Sequence, residues 1–207
     1  MRQYQALLSK PPEGQVILAD VRNLPHAHLG DIITSPPYID SIDYVYNQML
    51  EYFWLLPDLG IANYNEYRAL RRKPMGFSRH ATDGALHFQE RLQTATQSCL
   101  EKALDHIRNR SPKEARTVQF FFDDLLAHCE QVSNRQESGD FYICIVGNSV
   151  IRQVTVPTVD ILRDLFCSIG YHFHDHLTYE IRRHYMKFPR RSNNGKIKQD
   201  HVLIFRR

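Results

Sequence analysis

Two successive prolines, Pro36 and Pro37, stand one residue beyond the short apolar run 31–34 (DIIT), after Ser35. Proline has no backbone N–H and a fixed φ, so no sheet ladder runs through the pair and a strand has to stop at Thr34. Beyond them, Val45, Met49, Phe53 and Leu56 recur at three- and four-residue spacing. With Ser41 or Asp43 as a cap and Pro57 near the end, that spacing predicts a helix over 45–56. A strand that stops in a rigid turn and passes into a helix belongs to an α/β fold. Two further runs, 15–19 (QVILA) and 140–146 (DFYICIV), read as buried strands.

Residues 60–84 read as irregular, aromatic and basic, and longer helices are expected over 85–109, 112–134 and 159–169. Ser111, Pro112 and Glu114 make a capping-box signature at the start of the second of these helices. Alternating runs at 172–182 and 201–205 close the chain as an antiparallel pair, joined by a basic loop with Asn193-Asn194-Gly195. The expected architecture is a single α/β domain over 1–207. It has a mostly parallel sheet, an antiparallel terminal hairpin and a helical insertion at about 60–135. Ligands of such sheets collect where strands end at their carboxyl side. Asp20, the turn 35–38 (SPPY) and residues 147–149 (GNS) are therefore expected on one rim.

With 43% apolar and 11% aromatic residues the chain can bury a core, which excludes a disordered or fibrous protein. No apolar run approaches the roughly 20 residues that span a bilayer, so no membrane partner is expected. The start of the chain lacks a secretory pattern, and Cys99, Cys129, Cys144 and Cys167 are scattered without CxxC spacing. They read as reduced, mostly buried thiols of a cytoplasmic protein. Charge is unevenly spread. Residues 179–207 hold nine Lys or Arg against Glu180 and Asp200, a local +7 in a chain of net +3, which leaves −4 on the rest. A basic end on a mildly acidic body points to an anionic partner such as nucleic acid, or to a solvated basic tail.

The 35–38 turn is the most specific chemical signal. Two prolines hold the backbone extended and leave nearby carbonyls without ladder partners. Those carbonyls and the Ser35 hydroxyl can accept hydrogen bonds from an amino group, and Tyr38 can stack on a flat ligand. A nucleobase with an exocyclic NH2 meets this description; a proline-rich turn or polyproline ligand is the plain alternative.

Residues 31–38 (DIITSPPY), followed by Ile42-Asp43-Tyr44, resemble the catalytic motif of S-adenosylmethionine-dependent DNA methyltransferases that methylate amino groups. The resemblance implies a Rossmann-like methyltransferase sheet. It makes Ser35, Pro36, Pro37 and Tyr38 catalytic, and its serine form is the one most typical of cytosine-N4 enzymes. Residues 18–24 (LADVRNL) resemble the preceding strand of that fold, which implies a cofactor-adenine contact for Asp20. Residues 141–149 resemble the following core strand and 183–207 the terminal hairpin. The implied reaction is direct methyl transfer to the amine of a base flipped from the duplex, as in restriction–modification systems. No cysteine lies in the motif, which argues against ring-carbon methylation. No metal is implied.

These enzymes carry a Gly-rich loop after their first strand, and 1–207 has none. Only 14 residues precede the first expected strand, too few for two strand–helix units. The expectation is a catalytic half whose cofactor loop comes from a second polypeptide, or a truncated gene product; alone it should bind S-adenosylmethionine poorly. Arg182, Arg183, Lys187, Arg190, Arg191, Lys196 and Lys198 are the candidate phosphate contacts on DNA, and the segment 64–80 could add target recognition. Adenine N6, an RNA substrate, and a non-catalytic nucleic-acid-binding subunit remain as alternatives. Asn148 reads either as a base-pocket residue or as turn chemistry. His172, His174 and His176 read as one edge-strand face rather than metal ligands. Met49 and the aromatics Tyr52, Phe53 and Trp54 read as core or interface residues.

Overall fold

The computed structural model describes residues 14, 17–25, 28–39, 44–55, 58–70, 73–75, 87–181 and 197–207. In chain order its elements are β1 (Ile32–Thr34), α1 (Tyr44–Asn47), α2 (Met49–Leu55), α3 (Tyr64–Leu70), a single tight turn of helix (His87–Arg91), α4 (Thr94–Arg110) and α5 (Pro112–Ser133). They continue with β2 (Phe141–Val146), β3 (Val150–Ile151), β4 (Val154–Thr155), α6 (Thr158–Ser168), β5 (His172–Glu180) and β6 (Gln199–Arg206). Four strands form one sheet in the order β1-β2-β6-β5. β1 and β2 run parallel, with Ile32 opposite Tyr142 and Thr34 opposite Cys144. β6 enters between β2 and β5 and is antiparallel to both. The expected α/β class and the terminal antiparallel pair are present. The mostly parallel sheet is not: among the described residues, insertion of the last strand leaves one parallel pair of three.

The strand expected over 15–19 does not form in its described part, 17–19. Leu18 is 99 % exposed, and among the described residues the pairing nearby is a bridge between Asp20 and Asn23 within a tight turn. An extended segment needs a neighbour to satisfy its backbone groups, and none of the described residues supplies one. The helix expected over 45–56 is two short helices interrupted at Gln48. Within 60–84, α3 replaces part of the expected irregular stretch. Asn63 Oδ1 accepts the Asn65 and Glu66 N–H groups, and Glu66 returns to the Ala62 N–H and the Asn63 amide. The helix expected from 85 begins instead as the turn His87–Arg91, and α4 proper starts at Thr94.

At α5 the capping signature holds in half. Ser111 accepts the Glu114 N–H at 3.4 Å, but the Ser111 N–H is already taken by the Ile107 carbonyl. The Glu114 carboxylate instead grips Arg152 at 2.7 and 3.0 Å. Arg152 and Gln153 form the tip of the β3–β4 hairpin at φ 50° and 66°, a left-handed turn that usually takes Asn-Gly. The Glu114 ion pair and an Arg110 guanidinium bond to the Arg152 carbonyl pin this tip to the helices.

Helices α5 and α6 lie against one face of the four-stranded sheet, and α4 packs on both helices and on β4. Tyr142, Cys144 and Val146 of β2 and Leu203 and Phe205 of β6 point into that layer and are buried. Phe166 of α6 is its centre, with ring centroids 4.4 Å from Tyr142, 4.6 Å from Phe205 and 5.0 Å from Tyr171. On the opposite face Phe141, Ile143 and Ile145 are only half-buried, Ile33 is 73 % exposed and Leu177 is 55 % exposed. All four cysteines are free thiols; Cys129 and Cys144 are buried, whereas Cys99 and Cys167 are exposed, so burial covers two rather than most of them. No helix among the described residues is long and apolar enough to cross a membrane.

Candidate functional site

Because β1 and β2 are parallel, the 35–38 turn and residues 147–149 leave the sheet at the same end, as the strand order requires. Ser35 is exposed there, Pro36 is buried and Tyr38 is half-buried. A cleft of about 560 Å³ opens beside the turn and is lined by Asp20, Ser35, Pro37, Tyr52, Lys73 and Met75 among others. Two residues singled out separately in the sequence, Asp20 and Ser35, thus share one cavity although neither depends on the other locally. Val45, Tyr52 and Leu70 give it apolar walls, contributed by α1, α2 and α3.

Asp20 is committed within this cleft. Its Oδ1 accepts the Arg22 backbone N–H at 2.9 Å and Nε–H at 3.0 Å, and its Oδ2 accepts Nη2–H at 2.7 Å. Those Arg22 bonds hold the Asp20 carboxyl below its ordinary range, and Asp20 in turn keeps Arg22 firmly protonated. Arg22 also donates to Asp124 of α5 at 3.0 Å and to the Lys73 carbonyl at 3.0 Å, which clamps one wall of the cleft to the other. His128 of α5 fastens the same segment from below. Its Nδ1–H donates to the Val21 carbonyl at 3.2 Å, and its Nε2 lies 2.9 Å from the Tyr142 hydroxyl, which donates to it when the ring is neutral. Burial accordingly holds the His128 pKa below that of a free histidine.

Tyr38 is not among the residues that line the cleft. Its hydroxyl donates to Asp200 Oδ1 at 2.7 Å across 162 residues of sequence, and Tyr179 O–H donates to Asp200 Oδ2 at 3.2 Å. Burial first, and Asp200 second, raise the Tyr38 pKa well above that of free tyrosine, so the phenol stays protonated. The expected four-residue site is thus divided between two sides of one turn.

Of the candidate phosphate contacts, Lys198 is exposed at the foot of β6, where its carbonyl accepts the Ile181 N–H at 2.9 Å. Arg182, Arg183, Lys187, Arg190, Arg191 and Lys196 lie outside the described residues. Arg206 and Arg207, part of the same basic end, lie over the rings of Phe141 and Tyr171. Asn148 proves to be cap chemistry: its Oδ1 accepts the Val159 N–H at 3.0 Å in the first turn of α6. The three alternating histidines do not share a face, because the register shifts between Phe173 and Asp175. His174 meets Phe141 edge-on, whereas His176 Nε2 lies 2.9 Å from His201 Nδ1. No metal-binding group of three or more His, Cys, Asp or Glu occurs among the described residues.

Sequence reading missed Arg22, Lys73, His128, Tyr179 and Asp200. Only the Asp20-x-Arg22 spacing was locally visible; the rest depend on tertiary approach. No protein-family model matches the chain, and neither does any curated protein or solved structure.

Proposed function

We propose that this chain is the catalytic portion of an S-adenosylmethionine-dependent methyltransferase acting on an exocyclic amino group of a DNA base, with cytosine N4 as the favoured target. Adenine N6 and an RNA base are the alternatives within the same chemistry. The observation that supports this reading is the shared cleft: Ser35, at the carboxyl end of β1, faces the same 560 Å³ space as Asp20. That volume has room for a planar heterocycle, and its mixed lining of apolar walls with Asp20, Ser35 and Lys73 suits one.

An exocyclic amine is a weak nucleophile because its lone pair is delocalised into the ring. In the proposed reaction Ser35 Oγ and the Pro36 carbonyl accept its two N–H bonds, which favours a pyramidal nitrogen and frees the lone pair. The rigid prolines hold both acceptors in register before the base arrives, so positioning supplies much of the rate. S-adenosylmethionine, when bound, would supply the methyl group from its sulfonium and leave as the neutral thioether, and the methylated nitrogen would lose one proton to solvent. Among the described residues no glycine lines the cleft, and the proposal takes the backbone cradle for the methionine end from a second polypeptide.

A second polypeptide is therefore part of the proposal. Two features favour it. Among the described residues β1 pairs only with β2, which leaves its other edge open, and the sheet face bearing Ile33, Ile143 and Ile145 is apolar yet uncovered.

The test is transfer of labelled methyl from S-adenosylmethionine to DNA and to RNA by the full chain, with and without a co-expressed polypeptide carrying a Gly-rich strand–loop–helix. Ser35→Ala should lower turnover by about 100-fold or more while leaving the unfolding midpoint unchanged, since Ser35 is exposed. A complex that binds cofactor and methylates neither polymer would defeat the reading. Global unfolding of Ser35→Ala would show the turn to be structural.

A further inference from the structure

Three donor atoms from the last two strands meet on the helix-bearing side of the sheet, near the end of β5 and the start of β6. His176 Nε2 lies 2.9 Å from His201 Nδ1, and the Thr178 hydroxyl oxygen lies 3.4 Å from the first and 3.3 Å from the second. The register produces this group. Thr178 stands opposite His201 and His176 opposite Leu203, so two side chains of β5 converge on one of β6. Leu203 is buried beneath the helices, whereas His176 is exposed and His201 is partly buried. The alternating histidines of 172–176 give no sign of it, because the second imidazole comes from 25 residues away.

Distances decide what such a group can hold. The 2.9 Å between the rings fits an ordinary hydrogen bond, which uses one N–H and one lone pair along a single line. The Thr178 oxygen has no place on that line, and 3.3 or 3.4 Å is long for a bond from a hydroxyl. All three separations instead match the edges of a coordination shell. Ligands about 2.1 Å from an ion stand about 3.0 Å apart at octahedral angles and about 3.4 Å apart at tetrahedral ones. A point about 1 Å off the plane of the three atoms is about 2.1 Å from each of them.

Electrostatics agree with the geometry. Burial and His176 disfavour protonation of His201, which leaves its lone pair available at neutral pH, while Asp200 and Asp160 both favour positive charge at that ring. Both carboxylates are engaged elsewhere: Asp200 accepts the Tyr38 and Tyr179 hydroxyls, and Asp160 pairs with Arg163 at 3.0 Å.

We propose that His176 Nε2, His201 Nδ1 and Thr178 Oγ1 form a binding site for a divalent transition-metal ion of the zinc type, which links β5 to β6 and keeps water in its remaining positions. Imidazole nitrogen suits such ions. On binding, the proton shared between the two neutral rings moves to the other nitrogen of its own imidazole, so both ligating nitrogens are bare and no net proton is released. None of the three donors lines the cleft at Ser35.

The test is calorimetric titration of the full chain with zinc chloride, which should show one site that depends on both histidines. His176→Ala and His201→Ala should each weaken it by about 10–100-fold, and Thr178→Val, which keeps the branched shape, by about ten-fold. His106→Ala removes an exposed histidine of α4 and should leave the affinity unchanged. X-ray absorption at the bound zinc should show two imidazoles at about 2.0–2.1 Å. Saturating zinc should raise the unfolding midpoint of the native chain and leave that of His176→Ala where it is, since the ion binds only the folded register. Because His176 is exposed, its variant should keep the native midpoint without zinc, which separates lost ligation from lost fold.

Zinc binding that survives His176→Ala or His201→Ala, an absorption spectrum with fewer than two imidazoles, or no saturable binding would each overturn the site. Full affinity in Thr178→Val would overturn the three-donor geometry. Methyl transfer enters none of these readouts, so the metal site and the enzymatic reading stand or fall separately.

Discussion

The two faces of the sheet are built from the same kind of residue and meet opposite fates. β2 alternates Phe141, Ile143 and Ile145 with Tyr142, Cys144 and Val146, all apolar. The second set disappears beneath α5 and α6, and the first is left half-buried with nothing among the described residues across it. A strand intended for one wet face would alternate apolar with polar, whereas a strand covered on both sides reads as a continuous apolar run. β1 and β2 read as continuous runs. The contrast separates what holds this chain together, which is the helical side, from what lies open at its margin, where Ser35 and the cleft are found.

If that division is right, the largest losses of stability come from the covered side. Phe166 touches Tyr142, Tyr171 and Phe205 and has no exposed surface. Its truncation in Phe166→Ala should cost about 3–5 kcal/mol, read from chemical denaturation, because transfer and cavity terms add where three rings cannot close the gap. A loss below about 1 kcal/mol would mean that the helical layer is loosely packed and that the comparison of faces has no energetic content.

The helical side was also the part most legible in the sequence. β2, α5 with its Ser111 cap, α6 and the closing pair β5–β6 fall within two or three residues of expectation, because apolar period and end signals agree there. The open side was legible in residue type and misread in state. The run at 15–19 has strand composition, but a strand exists only through a neighbour, and composition does not report one. α3 was missed despite its Asn63-x-x-Glu66 cap, because the surrounding arginines and aromatics masked it. The β3–β4 hairpin carries Arg152-Gln153 where Gly or Asn would have announced it, and the compensating Glu114 contact comes from 38 residues away. Within the candidate site, Ser35, Tyr38 and Asp20 were visible as a motif and its neighbour. Asp200 and Tyr179 were not, since the β5–β6 register pairs them and the order β1-β2-β6 brings that pair to Tyr38.

A smaller effect is expected where the two sides are joined. His128 carries the hydrogen bond to Val21, next to Asp20, and lies against the Tyr142 hydroxyl of the core, in a buried place that favours its neutral ring. Its folded pKa is depressed by burial from the usual 6.5. The unfolded chain therefore binds the proton first as pH falls, so this contribution is complete above about 6.5 and declines on acidification below it. His201 titrates with the same sign, depressed by burial and by His176. Denaturation midpoints should fall from pH 7.5 to pH 5.0, with a shallower fall in His128→Gln, which cannot titrate. An identical slope in that variant would show that the Val21 segment is not held through His128.

The smallest change in stability, and the sharpest separation of the faces, is expected from Ile33→Thr and Leu177→Thr. Both side chains are more exposed than buried, and threonine has the β-branched shape that a strand favours, kept at 33 and introduced at 177. Unfolding free energy should move by no more than about 0.5 kcal/mol in either variant. Self-association measured by sedimentation should decrease, because the substitution interrupts an apolar surface that the isolated chain leaves in water. A loss above about 1 kcal/mol would place these side chains under cover within the chain itself, and the two faces would then differ in appearance only. Unchanged stability with reduced association is the result that makes the bare face a surface for contact rather than part of the core.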